Sequence, residues 1–278
     1  MTAATLYSFT LADFGELSQV EFNPLKPITP VPIFTFSIGH YNIVVSNHMF
    51  MVALAAVILL LLLTIAMRPK GLVPKGIQNL IESVCVFLRD KMAKPVLGDF
   101  TDRYIYFIWT IFFFVLCLNL LGLIPLDAFI YLITGKPNHL AGSATANIWI
   151  TGGLAATTFF TVHIAGIKKQ GLLSYITHFA PPVPWPMIPI IYLLEIISAF
   201  VRPFALAIRL FANMLAGHMV LATFMALIIV FKNYGVALAA IIAAVALSFL
   251  ELLVAFVQAY IFAFLSTLFI SFSITSEH

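Results

Sequence analysis

Two apolar segments, residues 188–230 and 236–274, follow one another with only the KNYG turn, 232–235, to join them. As continuous helices at about 1.5 Å per residue, each would measure roughly 55–65 Å, about twice the thickness of a bilayer's hydrocarbon core. Helices of that length must tilt steeply, bend, or lie partly in the membrane plane. Pro203 and Gly217 are candidate bending points. No soluble fold accommodates such a pair here, because the outside could not be covered. Of 278 residues, 62% are hydrophobic and 9% charged, and the mean hydropathy is +1.08. An ordinary soluble domain carries about 25% charged residues. The expected class is therefore an all-α integral membrane protein. The net charge of +3 is too small and too unevenly placed to suggest a nucleic-acid partner.

Upstream of the pair, residues 1–46 form a polar to mixed arm in which Pro24, Pro27, Pro30 and Pro32 argue against a helix. Residues 47–278 read as a single membrane domain. Its clearest span is 47–67, NHMFMVALAAVILLLLLTIAM, ended by RPKG at 68–71. Residues 74–103 are too polar to cross. Ile77, Leu80, Ile81, Val84, Cys85 and Leu88 recur there at helical spacing, with Lys75, Glu82, Arg89, Asp90, Lys91 and Lys94 between them. That pattern predicts an amphipathic helix along the membrane surface, or one packed on other subunits. Further spans are expected at 104–125, ending in NLLGLIP, and at 145–166, with a polar loop over 126–144. The loop 167–187, with Lys168, Lys169 and PPVPWP, reads as a rigid extended connector. This makes five crossings and one surface helix, the last two crossings forming a long tilted hairpin. Residues 1–45 show no basic start followed by an apolar core, so no secretory signal is expected. Cys85 and Cys117 belong to no CxxC or metal-spaced cluster and read as packing residues. Neither a metal nor a cofactor is expected.

Loop charges set an orientation. Segment 68–103 holds seven Lys and Arg residues and 167–187 holds two, whereas Lys26, Lys136 and Lys232 stand alone in their segments. The positive-inside rule places the first two segments on the inner side. The N-terminus is then outside and the C-terminus inside. No internal repeat is visible, which weighs against the inverted-repeat design of many secondary transporters.

The hairpin carries charges at ordered depths. Glu195, Arg202 and Arg209 stand seven apart, so they drift slowly along one helix face, and Asn213 lies one turn beyond Arg209. His218 is nine residues past Arg209 and turns to the opposite side. On the second helix Glu251 and Gln258 are again seven apart. Ionisable groups inside a membrane cost at least about 2.5 kcal/mol each and usually mark an ion pathway or a buried pair. Glu195 and Arg202 could simply neutralise each other; the set as a whole is harder to explain that way. Glu195 lies toward the inner side, His218 and Glu251 toward the outer. Arg209 stands between them and cannot give up its charge. Two half-paths separated by a fixed positive charge suit a device that loads a proton on one side and unloads it on the other.

With these residues in place, the sequence resembles subunit a of the F-type ATP synthase, the stator of its proton-translocating membrane sector. The most specific match is RPFALAIRLFANMLAGH at 202–218, followed by LELLVAFVQAYIFAFL at 250–265 and NLLGLIP at 119–125. The segment order agrees over nearly the whole chain. The resemblance implies that Arg209 is the stator arginine facing a ring of c subunits, with Gln258 near it and Asn213 beside it. Glu195 would line an inner half-channel. His218 and Glu251 would line an outer one, with Asn119, Asp127 and Asn147 as further candidates and Arg202 as a supporting charge. Peripheral-stalk b subunits, the remainder of the ATP synthase and membrane lipid would be its other partners, in an energy-transducing membrane, a bacterial inner membrane being favoured over a mitochondrial one. Two departures stand out. Some bacterial relatives carry an acid at the position of His218 and a histidine at that of Glu251, an exchange that preserves the chemistry. Ala205 and Ala207 stand where relatives often carry hydroxyls.

The implied mechanism is proton entry past His218 and Glu251, neutralisation of a ring carboxylate, rotation through lipid, and release near Glu195. Voltage would supply about 2.3 kcal/mol per proton per 100 mV. No GxxxxGK[ST] motif is present, so no catalytic site for ATP is expected on this chain. Two other classes remain as alternatives: a stand-alone ion-coupled transporter or channel, and a purely structural anchor.

Overall fold

In the computed structural model, which describes residues 31–38, 41–66, 76–124, 126, 130, 142–177 and 187–274, the long apolar runs fold as helices. Five of them are long and apolar enough to cross a membrane. Among the described residues the protein is all-α apart from one small hairpin in the arm, β1 (Pro32–Ile38) and β2 (Tyr41–Ser46), paired antiparallel from Pro32↔Ser46 to Ile38↔Tyr41 with an irregularity between Pro32 and Phe34. The prolines exclude only a helix here, and Pro32 sits at the first position of an edge strand, where its missing N–H is tolerated.

The arm is tied to the first span, α1 (Asn47–Ala66), by one side chain. The Asn47 Oδ1 accepts from Val31 N at 3.1 Å and from His48 N at 3.0 Å, while Asn47 N donates to Val31 O at 3.0 Å. The expected surface helix over 74–103 is divided. It comprises α2 (Ile77–Phe87), a π-helical stretch over Leu88–Ala93, one α-helical turn over Lys94–Leu97 and a 3₁₀ turn over Gly98–Phe100. The wide turn has a packing reason. Leu88 and Leu97 are nine residues apart and would face opposite ways on a regular α-helix. The slower rotation of π-helical residues brings both into the core, at 0% and 4% exposure.

The second span, α3 (Thr101–Leu123), begins three residues earlier than the sequence suggests. The third, α4 (Ile148–Gln170), is capped by Asn147, whose Oδ1 accepts from Trp149 N at 2.9 Å. It ends at Gly171, φ 81°. Within the connector expected over 167–187, α4 continues to Gln170 and a short helix, α5 (Leu172–Thr177), follows at once. PPVPWP and the RPKG stop lie outside the described residues, as does most of the 126–144 loop.

The hairpin consists of α6 (Ile188–Phe231) and α7 (Tyr234–Ile274), about 66 and 62 Å long at helical rise. α6 continues as one helix through both candidate bending points, Pro203 and Gly217. It stops at Lys232, in the left-handed conformation at φ 46°, and Asn233 Oδ1 accepts from Gly235 N at 2.8 Å to close the turn.

The core forms where α3 and the second half of α7 pack with the middle of α6. Ile105, Ile108 and Val115 of α3, Leu206 and Leu210 of α6, and Phe262 and Ile270 of α7 belong to one buried cluster, with α7 packed against both of the other helices. The buried stripe of α7 is mostly small: Ala255, Ala259, Ala263, Ser266, Thr267 and Ser271. Small residues let helix backbones approach in lipid, where no hydrophobic force draws helices together. The hydroxyls of Ser266 and Thr267 are satisfied by carbonyls four residues back, at 2.7 and 2.8 Å. A second cluster, Met51 and Ala55 with Leu118, Leu121 and Ala144, fastens α1 to the end of α3.

Candidate functional site

The heptad spacing on α6 gives two different outcomes along one stripe. Arg202 Nη2 bonds Glu195 Oε1 at 2.9 Å, and Arg202 Nε donates to Ser198 Oγ at 3.2 Å. The Arg202 guanidinium also lies over the Phe269 ring of α7, 5.7 Å from its centroid. Arg209, two turns further on, is exposed and takes part in no hydrogen bond or ion pair among the described residues. Along the same helix Val201, Phe204 and Ile208 are exposed, and on α7 so are Leu252, Leu253 and Phe256. A charged guanidinium on so apolar an exterior is costly in lipid unless a partner meets it.

At the α5 end of the bundle, a cavity of about 100 Å³ opens between α4, α5, α6 and α7. Its polar lining includes His163, Gln170, Tyr175, Glu195, Arg202 and Ser273. His163 Nδ1 and Tyr175 Oη are 2.7 Å apart. Gln170 Nε2 donates to Ser273 O at 3.2 Å, and Ser273 Oγ donates to Val162 O at 2.9 Å. Gly166 permits this closeness, since a Cβ there would overlap both Ser273 Oγ and the Tyr175 ring. Burial pushes the Tyr175 phenol above its ordinary range, so it stays protonated near neutral pH.

At the opposite end the polar groups are more deeply enclosed. Glu251 of α7 lies against Gly217, where a Cβ would collide with its carboxylate, and its Oε1 is buried without a partner among the described residues. Next to Gly217 in sequence, His218 has a buried Nε2 that is likewise unpartnered. Asn119, near the end of α3, is 1% exposed and its Nδ2 reaches Ala255 O at 3.5 Å. Asn119 Oδ1 and Gln258 Nε2 are buried and unpartnered. From Gly122 the line continues to Ser143, whose Oγ would stand 2.8 Å from a Cβ there, and on to Thr145 Oγ1 at 3.5 Å. It ends at Gly142, which packs on Asn47 and His48. His48 is fully buried with both ring nitrogens unpartnered among the described residues. Of the remaining candidates, Asn213 is half-buried, Asn147 is engaged as the α4 cap, and Asp127 lies outside the described residues.

Known proteins share this arrangement of sequence. The model of a family described as ATP synthase A chain matches residues 49–271, which include the described residues of both polar regions except Asn47, His48 and Ser273. The ATP synthase subunit a of Myxococcus xanthus is 40% identical over 245 residues, covering 86% of this chain and 76% of that protein. That of Chloroherpeton thalassium is 37% identical over 261 residues, covering 91% and 73%. The chain belongs to the ATP synthase subunit a family. A third member, from an Anaeromyxobacter species, is 38% identical over 244 residues, and there the match spans 86% of this chain but only 56% of the relative's length. Family membership and the five apolar helices together make this a multi-pass protein of an energy-transducing membrane.

Within this subunit a fold, three polar groups stand outside the spacing pattern of the hairpin charges. His48 stands at the start of a span, where a lone histidine looks like the edge of the membrane. His163 and Tyr175 are separated by the helix break at Gly171, so no periodicity links them. A polar side chain inside an apolar segment was the available signal for both histidines.

Proposed function

We propose that this chain is the proton-translocating stator subunit of a rotary ATP synthase, presenting Arg209 to the carboxylates of a rotating c ring. The observation that carries this reading is the contrast along α6. Arg202 is neutralised within the chain, whereas Arg209 is exposed on an apolar exterior with no partner among the described residues. Such a charge suits a partner that supplies the carboxylate. A mobile ring would supply one repeatedly.

The two polar regions then serve as half-channels offset along the hairpin. With the N-terminus outside, the His218–Glu251 region and the line from Asn119 to His48 open outward, and the Glu195 cavity opens inward. A proton entering from outside neutralises a ring carboxylate, which then tolerates lipid. After rotation it is released into the Glu195 cavity. Arg209 attracts the deprotonated carboxylate and, being unable to pass on a proton, separates the two regions. Gln258, buried with its Nε2 unpartnered, and Asn213 flank that boundary. ATP chemistry belongs to other subunits, and the b subunits of a peripheral stalk hold this one still.

A stand-alone ion-coupled transporter is the competing reading, and reconstitution separates the two. The purified chain alone in vesicles is expected to show no coupled ion translocation, and translocation is expected to appear only with ring and catalytic sector present. Coupled transport by the chain alone would overturn the stator reading.

A further inference from the structure

We propose that His163 is a proton-accepting group of the cavity at the α5 end, working beside Glu195, and that Tyr175 is the positioning residue that holds its ring. The inference rests on the stator reading above and extends it to residues that reading does not use.

The charged and titratable groups facing this cavity come from three helices. They are His163 from α4, Tyr175 from α5, and Glu195 and Arg202 from α6; α7 contributes Phe269, Phe272 and Ser273, none of which titrates. Arginine keeps its proton at any physiological pH, and a buried phenol keeps its own. Glu195 has Oε1 engaged by Arg202 at 2.9 Å, so a proton arriving there competes with a guanidinium. Imidazole is the lining group that ordinarily exchanges protons near neutral pH. The ring is also fixed. Its Nδ1 is 2.7 Å from Tyr175 Oη, and it packs against the Phe159 ring in a T-shaped arrangement, 4.2 Å between centroids at 70°. Tyr175 in turn is seated over Gly166, where any side chain would displace it. An imidazole kept only for packing would not need a polar cavity beside it.

The step balances on protons alone. A proton from the medium adds to a ring nitrogen and gives the imidazolium. The same charge then leaves as a proton toward Glu195 or the ring carboxylate, and the neutral imidazole is restored.

The test uses the intact ATP synthase in vesicles with the α5 end facing the medium. ATP-driven pumping is measured from about pH 5 to 8, the range spanning imidazole titration, with assembled complex quantified for each variant. For His163→Gln, pumping is expected to fall about tenfold, less than the ~100-fold of a sole acid–base group because Glu195 shares the cavity. Its ratio to the unmodified complex is expected to vary with pH. Tyr175→Phe should retain much of the rate and move the midpoint of the profile. His163→Ala provides a second measure of the same ratio. A ratio constant across the whole pH range, at full or uniformly reduced rate, would overturn the proposal. So would failure of both His163 variants to assemble, which would mark a packing role. Arg209→Ala is measured alongside. Normal pumping by that variant would sink the stator reading itself, whereas its loss together with a pH-independent His163→Gln ratio would sink only this inference.

Discussion

The Glu251 carboxylate occupies the space that a side chain at Gly217 would need, so one turn of α6 and one of α7 are joined by a contact that only glycine permits. The position is mid-helix, where glycine is about 1 kcal/mol less favourable than alanine. Helix propensity alone would therefore favour replacement. Gly217→Ala is expected to displace Glu251 and slow ATP-driven proton pumping about tenfold, or ~1.4 kcal/mol in barrier. In a Glu251→Ala background the same change should have little further effect, because the two residues share one contact. Additive losses in that double-variant cycle would show that Gly217 acts through something other than Glu251.

The Glu195–Arg202 pair is about a third exposed on each side, 31% and 34%, which places it between a surface bridge and a buried one. Removing one partner leaves a charge in a half-enclosed site. Arg202→Met alone should reduce the thermal stability of the assembled complex more than the double change Glu195→Gln with Arg202→Met, the coupling being about 1 kcal/mol. Equal melting temperatures for the single and double variants would show that the two side chains do not depend on each other.

The other ion pair makes the contrast. Arg89 and Asp102 are 2.7 Å apart but 48% and 75% exposed, joining the π-helical stretch to the first turn of α3. Water and salt screen such a pair. Arg89→Ala is expected to leave both the melting temperature of the complex and its pumping rate unchanged, and a clear drop in either would assign that pair a role at a subunit contact.

Much of this architecture was legible from residue type and spacing. Apolar run length located the spans, and the KNYG turn marked the hairpin because Lys232 and Asn233 leave the helix there. Seven-residue spacing placed Glu195 and Arg202 on one stripe, and they do bond. Nine-residue spacing turned His218 away from Arg209, and it is indeed the more enclosed of the two. What escaped depended on contacts between distant segments. The π-helical stretch at Leu88–Ala93 answers to a core formed with α3 and α7. The His163–Tyr175 bond crosses the break at Gly171, inside a stretch that reads as a loop. Enclosure of His48 depends on Gly142, nearly a hundred residues away in sequence. The hairpin β1–β2 lay in an arm where prolines excluded helix without proposing a strand.

The role of Arg209 is tested most directly by one measurement. The intact complex carrying Arg209→Ala is reconstituted in vesicles, its assembly is verified, and ATP-driven proton pumping is recorded. Loss of a positioned charge of this kind is expected to lower coupled pumping by at least ~100-fold, with the rest of the complex assembled. Coupled pumping at the rate of the unmodified complex would contradict the assignment of Arg209 as the stator charge.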